Sequence, residues 1–160
     1  MKKILGILAL FVLVASQVWA TDLDITPGVV NMQSTDTAFV DVCLKYSNGS
    51  AWSGATLAIN TWCKDLNDNT VCDAGDEATP ATFTPTVEVT PTGADGCGKV
   101  RLETNNAEGG TYAYLVNGLT AGGAFIAAEH GLVFVPEFGV VAAGLALAGA
   151  GVYIARKRKQ

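Results

Sequence analysis

Histidine is almost missing from these 160 residues, with His130 the single example, and cations are scarce between residues 21 and 135. That stretch holds Lys45, Lys64, Lys99 and Arg101 against 14 of the chain's 15 acidic residues, an excess of ten negative charges. A region this acidic cannot neutralise a phosphate backbone, which excludes nucleic acid as a partner. It suits a soluble surface, a salty medium or divalent cations. There is no Cys-x-x-Cys pair and no Cys–His cluster, so zinc and haem have no motif. No serine or cysteine nucleophile motif surrounds His130 and its neighbour Glu129, and His130 reads as an exposed residue of a late strand or stalk. No carboxylate pair stands out from the many acids as a hydrolase would require, so an enzyme is not expected. A helical hydrophobic period is also missing from 21–135.

Long uncharged runs are present, but at the two ends. Lys2 and Lys3 precede an apolar run from Ile4 to about Ala15, and Val18, Trp19 and Ala20 offer a cleavage site. This reads as a secretory signal peptide over 1–20, removed after Ala20, or otherwise as an uncleaved anchor. At the other end, residues 138–155 carry no charge. As a helix at 1.5 Å per residue they reach about 27 Å, near the thickness of a bilayer's hydrocarbon core. The basic cluster Arg156, Lys157, Arg158 and Lys159 then favours the cytoplasmic side. Together the two ends place residues 21–135 outside the cell. Pro136, Glu137 and Phe138, the Gly/Ala/Leu/Val run behind them and the basic end resemble the PEF-CTERM sorting tails of archaeal surface proteins. The resemblance implies an archaeal host and an archaeosortase-type enzyme that cuts near the signature and transfers the protein to another anchor. A plain transmembrane anchor that stays in place is the alternative. Ala142, Ala146 and Ala150 form a small-residue stripe suited to close helix contact.

The exported part has 115 residues, enough for one domain. Its four cysteines are even in number, and an oxidising exterior makes two disulfides the expectation. Three pairings are possible. Cys63 and Cys72 flank one loop and are favoured as a pair, which leaves Cys43 with Cys97.

Residues 38–46 alternate, with Ala38, Val40, Val42, Leu44 and Tyr46 on one face and Asp41, Cys43 and Lys45 on the other. Period two over nine residues predicts a half-buried strand. Asn48-Gly49 then turns the chain. Residues 55–62 form the next strand, with Leu57 and Ile59 on one face. Residues 81–90, bracketed by Pro80 and Pro91 and containing Pro85, belong at a sheet edge. Short strands follow at Val100–Leu102 and over 111–117. Residues 124–135 supply a last strand or two, broken at Gly131. A first strand near 25–30 brings the count to about seven, and short strands at this spacing predict an all-β antiparallel sandwich over 21–134. Lys45-Tyr-Ser-Asn-Gly-Ser with Ser53-Gly-Ala-Thr-Leu, Thr92-Gly-Ala-Asp-Gly before Lys99-Val-Arg-Leu, and Gly110-Thr-Tyr-Ala-Tyr resemble the Ig-like domains of the invasin and Big type. That resemblance implies an adhesive, structural or spacer module. The acidic insertion after Trp62 and the cysteines depart from the simplest pattern of that family.

The insertion is the most chemical stretch. Oxygen side chains at Asp65, Asn67, Asn69, Asp73, Asp76 and Glu77 recur at spacings that can wrap a hard cation. They resemble the Asp-x-Asn-x-Asn calcium loops of EF-hands and thrombospondin type 3 repeats, although Thr70 stands where those loops have glycine and Asp76 where an EF-hand has glutamate. The alternative is a solvated acidic hairpin loop. Calcium, if bound, is expected to stiffen the loop. Asn48-Gly-Ser50 is a glycosylation sequon on a turn. Trp52 and Trp62 read as core or rim packing, or as sugar-stacking platforms if exposed. The reading is a surface-anchored structural or adhesion protein meeting a cell-envelope protein or glycan. The alternatives are a carbohydrate- or ligand-binding module, or a subunit of an extracellular filament joined by strand donation from the segment before Ala38.

Overall fold

The alternating segment around residues 38–46 becomes a long central strand, with its apolar face turned to a second sheet. A computed structural model describes residues 21–137 with the exception of Pro91. Nine strands follow one another: β1 Thr21–Thr26, β2 Val29–Asn31, β3 Asp36–Tyr46, β4 Thr56–Asp65, β5 Glu77–Ala78, β6 Phe83–Val89, β7 Cys97–Thr104, β8 Gly110–Leu119 and β9 Phe125–Val135. They form a four-stranded sheet in the order β1-β3-β7-β6 and a five-stranded sheet in the order β2-β9-β8-β4-β5. This is the immunoglobulin arrangement: a four-strand ABED sheet faces the strands that correspond to G, F and C, with β2 and β5 added at the rims. Among the described residues there is no helix, and hence none long and apolar enough to cross a membrane. The expected signal peptide over 1–20 and the tail from Phe138 onward lie outside the described residues. Pro136 and Glu137 are described, just past β9.

Three expectations need correction. The first strand is two strands, because Pro27-Gly28 interrupts pairing and the chain crosses from β3 of one sheet to β9 of the other. The β2–β9 pairing is parallel, so the sandwich is not wholly antiparallel. Gly131 does not break the last strand. It sits within the β8–β9 ladder opposite Tyr114, whose ring occupies the space a side chain on residue 131 would need. With the two-residue β5 added, the count rises to nine. The Pro85 segment does lie at an edge, as β6 beside β7, where an absent donor interrupts no second ladder.

The core is built from both inner faces: Val40, Val42, Leu44, Val100, Leu102 and Phe83 from one sheet, and Leu57, Tyr112, Tyr114, Val116, Val133 and Val135 from the other. Phe83 spans the gap, its ring centroid 5.3 Å from Tyr112 and 6.3 Å from Tyr114 in tilted contacts. Burial pushes the Tyr114 phenol well above its ordinary value.

The corner between β7 and β8 is tied by one tyrosine. The Tyr112 hydroxyl donates to the Glu108 carbonyl at 3.0 Å, the tyrosine-corner bond of immunoglobulin domains. Lys64, beside Tyr112 in the β4–β8 register, grips the same residue from the other side through an ion pair of 2.6 Å with the Glu108 carboxylate. The Lys64 hydrogen bond holds Glu108 below the ordinary glutamate value, and the same bond raises Lys64. The contribution of Glu108 is present above the usual glutamate range and is lost as pH falls through its lowered value. That of Lys64 is complete below the usual lysine range and is lost as pH rises through its raised value. A carboxylate-detected NMR titration should place the Glu108 midpoint below that of an unpaired glutamate and return it there in Lys64→Met. An unchanged midpoint in that variant would show the pair is not formed.

Candidate functional site

β4 runs past its bulge at Asn60 to Asp65, and β5 returns antiparallel with Cys63 opposite Ala78 and Lys64 opposite Glu77. Residues 66–76 are the loop of this hairpin, and its acids are organised by backbone amides. Asp65 is buried, and its carboxylate accepts from the N–H groups of Asn67, Asn69 and Thr70, the last at 2.8 Å. The Asp73 carboxylate accepts from the Gly75 N–H at 2.8 Å and from the side-chain amides of Asn67 at 3.1 Å and Asn69 at 2.6 Å. The Gly75 N–H contributes most, and together they hold Asp73 below the ordinary aspartate value. Asp76 accepts from Leu66 N–H and Asp73 N–H, each at 2.9 Å. The structure therefore gathers Asp65, Asn67, Asn69, Asp73 and Asp76 into one hydrogen-bonded ring. Glu77 is outside it, exposed on β5. Among the described residues no group of three or more acidic, histidine or cysteine side chains is arranged to hold a metal ion.

Two disulfides join the pairs Cys63–Cys72 and Cys43–Cys97. The first folds the acidic loop back over the outer face of the five-stranded sheet, where Cys72 Sγ comes within 3.6 Å of the Ala113 carbonyl. Cys63, Asp65 and Ala113 are buried beneath that cover although they belong to the outward-facing side of the sheet. The second disulfide links directly opposed residues of β3 and β7, within one sheet. Thr70, at the position where calcium loops have glycine, adopts φ 69°. A β-branched residue is strained there. Thr70→Gly is expected to raise stability by about 1 kcal/mol, read as a higher melting temperature; a lower one would mean the Thr70 conformation is not that of the folded loop.

The remaining sequence candidates are dispersed. Trp52 stacks on Tyr46 with centroids 4.5 Å apart and planes at 10°, and both Trp52 and Trp62 pack half-buried against the core. They form no common exposed platform, because Trp62 shares the inner row of Tyr114 while Trp52 follows the β3 turn. His130 stands opposite Leu115 and Glu129 opposite Val116. Neighbours on a strand point to opposite faces, so these two do not form a dyad. Asn48 is exposed on the β3–β4 turn, its carboxamide oxygen accepting from the Ser50 N–H at 2.9 Å and the Ser50 hydroxyl at 2.6 Å. Large apolar side chains are exposed at Phe39, Val29, Phe134 and Phe125. Sequence reasoning passed over the tyrosine corner, whose signal was the Tyr112-Ala-Tyr114 spacing in β8.

No protein-family model matches the chain, and no curated protein matches it in sequence. Solved structures do match in fold. A chaperone–tip adhesion subunit pre-assembly complex of the Csu pili of Acinetobacter baumannii is 14% identical with a TM-score of 0.50, covering 72% of this chain and 52% of that one. Domains 4 and 5 of the S-layer protein SbsC are 15% identical with a TM-score of 0.47, covering 72% of this chain and 51% of that one. The Yersinia pseudotuberculosis adhesin InvE is 21% identical with a TM-score of 0.41, covering 72% of this chain and 26% of that one. This chain thus spans about half, or less, of those chains. What the chain shares with them is the Ig-like β-sandwich fold that its strand order shows.

Proposed function

We propose that this chain is a non-enzymatic, Ig-like module displayed outside the cell in a structural or adhesive role. The observation that carries the reading is the pair of disulfides that closes all four described cysteines, a state that persists in an oxidising exterior. Exposed apolar side chains on both outer faces support contact with a partner, a cell-envelope protein or glycan. In this reading the signal peptide over 1–20 is removed. The tail that begins at Pro136, Glu137 and Phe138 serves as a membrane anchor and sorting signal for an archaeosortase-type enzyme. The Asn48 carboxamide is the site of an N-linked glycan. Mass spectrometry of the protein isolated from its host is the test. It is expected to report an N-terminus at Thr21, loss of the tail near residue 136, four fewer hydrogens than the thiol form, and added hexose mass on the Asn48 peptide. Reduced cysteines in a chain that still begins at Met1 would overturn the extracellular reading.

The acidic loop is proposed as a calcium site, with Asp65, Asn67, Asn69, Asp73, Asp76 and Glu77 as ligands. What supports it is the hydrogen-bonded ring of the first five, in which both asparagine side chains already stand at the Asp73 carboxylate. Calorimetry with added calcium should show binding heat and a raised melting temperature, both lost in Asp73→Asn. No heat and no change in melting would remove the site. A filament subunit is the second reading, favoured by β1, an edge strand that begins at Thr21 and places Leu23 and Ile25 in the core. Concentration-dependent assembly of the purified protein would support it.

A further inference from the structure

An open cleft of about 520 Å³ lies at one end of the four-stranded sheet, between the β2–β3 turn, the start of β6 and the end of β7. Its floor is rigid. The Thr104 hydroxyl donates to the Gln33 carbonyl at 2.8 Å and accepts from the Asp36 N–H at 2.9 Å, while the Asp36 carboxylate accepts from the Thr37 N–H at 2.8 Å. Its walls are different. Thr37, Thr82 and Thr84 line the cleft, and their hydroxyls make no hydrogen bond to protein among the described residues. Thr37, Glu103 and Thr84 form one cross-strand row on the outer face, and Phe39, Arg101 and Thr86 form the next row. Rows on one face are about 7 Å apart. Phe39 is 54% exposed, so an aromatic face stands beside a hydroxyl-lined cleft.

The electrostatics narrow the ligand. Arg101 is held by Glu88 at 2.6 Å and by Glu103 at 2.8 Å, so its charge is spent on two carboxylates. With Asp36 also present, the cleft repels anions. The Asp36 oxygens accept from backbone amides and one Glu103 oxygen from Arg101, which ties both carboxylates into the protein's own network. What remains is a surface of hydroxyl donors and acceptors beside an apolar ring, with a hydrogen-bonded floor and no unpaired cation among its lining residues. A pyranose matches both halves: equatorial hydroxyls for the threonines and a C–H face for Phe39.

We propose that this cleft binds a neutral oligosaccharide, one ring among Thr37, Thr82 and Thr84 and an adjacent ring on Phe39. The cleft opens at the end of the sandwich where the chain leaves β9: Ala107 N–H donates to the Ser34 carbonyl there, and Gly110 pairs with Val135. Resting on the surface reading above, the sugar is one carried by the envelope of the cell that makes the protein.

The test uses the full chain in a zwitterionic detergent with no sugar head group. Ligand-observed NMR and calorimetry are run with maltotriose, cellotriose, mannotriose and chitotriose, with sialyllactose and a heparin disaccharide as anionic probes. At least one neutral trisaccharide is expected to bind saturably. Phe39→Ala should weaken it about tenfold and Thr84→Val about threefold, both exposed changes that leave the melting temperature unaltered. The proposal is overturned by the lack of saturable neutral binding below about 10 mM, by tighter anionic binding, by indifference to both variants, or by loss of binding with a calcium chelator, which would move the site to the acidic loop. Absence of binding leaves the extracellular reading standing, and reduced cysteines in an unprocessed chain would sink that reading while leaving the cleft untouched.

Discussion

The double variant Cys43→Ala/Cys97→Ala is expected to unfold with about 4 kcal/mol less free energy than the parent, the loop-entropy value for a bridge between residues 54 apart. The Cys63–Cys72 bridge closes a much shorter loop, with a separation of 9, and the same relation gives it roughly 2.7 kcal/mol. Both together approach the whole stability of an ordinary domain, about 5–15 kcal/mol, so a reductant should bring the protein close to unfolding at ambient temperature. The double variant is preferred to a single one because it leaves no stray thiol. Cys43 and Cys97 are partly exposed on the outer face of β3 and β7, where alanine opens no core cavity, so the loss comes chiefly from a freer unfolded chain. Urea titration of variant and parent reads it directly; a difference below about 1 kcal/mol with an unchanged slope would show that the ladder alone holds β3 to β7. Removing the shorter bridge has a different signature. The loop over Ala113 is released first, so amides of 66–76 should lose exchange protection while β3 and β7 keep theirs.

The parts of this architecture that rest on local pattern were legible in the chain. Strand β3 announced itself by alternation, the Asn48-Gly49 turn by a pair of residues suited to positive φ, with Gly49 at 80°, and the edge position of β6 by Pro85. The acidic loop was legible as a cluster of oxygen side chains, since the backbone amides that the carboxylates of Asp65, Asp73 and Asp76 accept from all lie within 66–75. What local pattern cannot carry is register. Pro27-Gly28 marks a break within residues 25–31 but does not say that the chain changes sheets there, because the partner of β2 is β9, a hundred residues on. The cleft was invisible for the same reason: Asp36, Thr84 and Thr104 come from three strands and acquire a common wall only when β3, β7 and β6 align. The two tryptophans were easy to notice as aromatics and impossible to place, because the bulge between Ile59 and Thr61 decides which face Trp62 takes.

Gly131→Ala is expected to destabilise the protein by about 3 kcal/mol, a large effect for one methyl group in a strand. In antibody-type domains the residue two places after the corner tyrosine is the second cysteine of the disulfide that ties the sheets together. Here that position, two after Tyr112, is Tyr114, and the tie between the sheets is the contact of Tyr112 and Tyr114 with Phe83. The tyrosine ring is larger than a disulfide and needs room on its own sheet, and Gly131, directly opposite in the β8–β9 register, provides it. A Cβ built on Gly131 falls on Cζ and Oη of Tyr114, with Cε1 next. The ring is hemmed in, fully buried in the core with the Phe83 ring 6.3 Å away. The same reasoning predicts the rescue: in a Tyr114→Leu background, itself destabilised, the added methyl should cost less than about 1 kcal/mol, since the atoms it strikes are gone. A double-mutant cycle measures that coupling, and additive losses would mean that Gly131 serves the backbone and not the ring. The strand that looked broken at glycine is thus continuous because of it, and the rings of Tyr112, Tyr114 and Phe83 make the cross-sheet tie that neither disulfide, each confined to one sheet or its hairpin loop, provides.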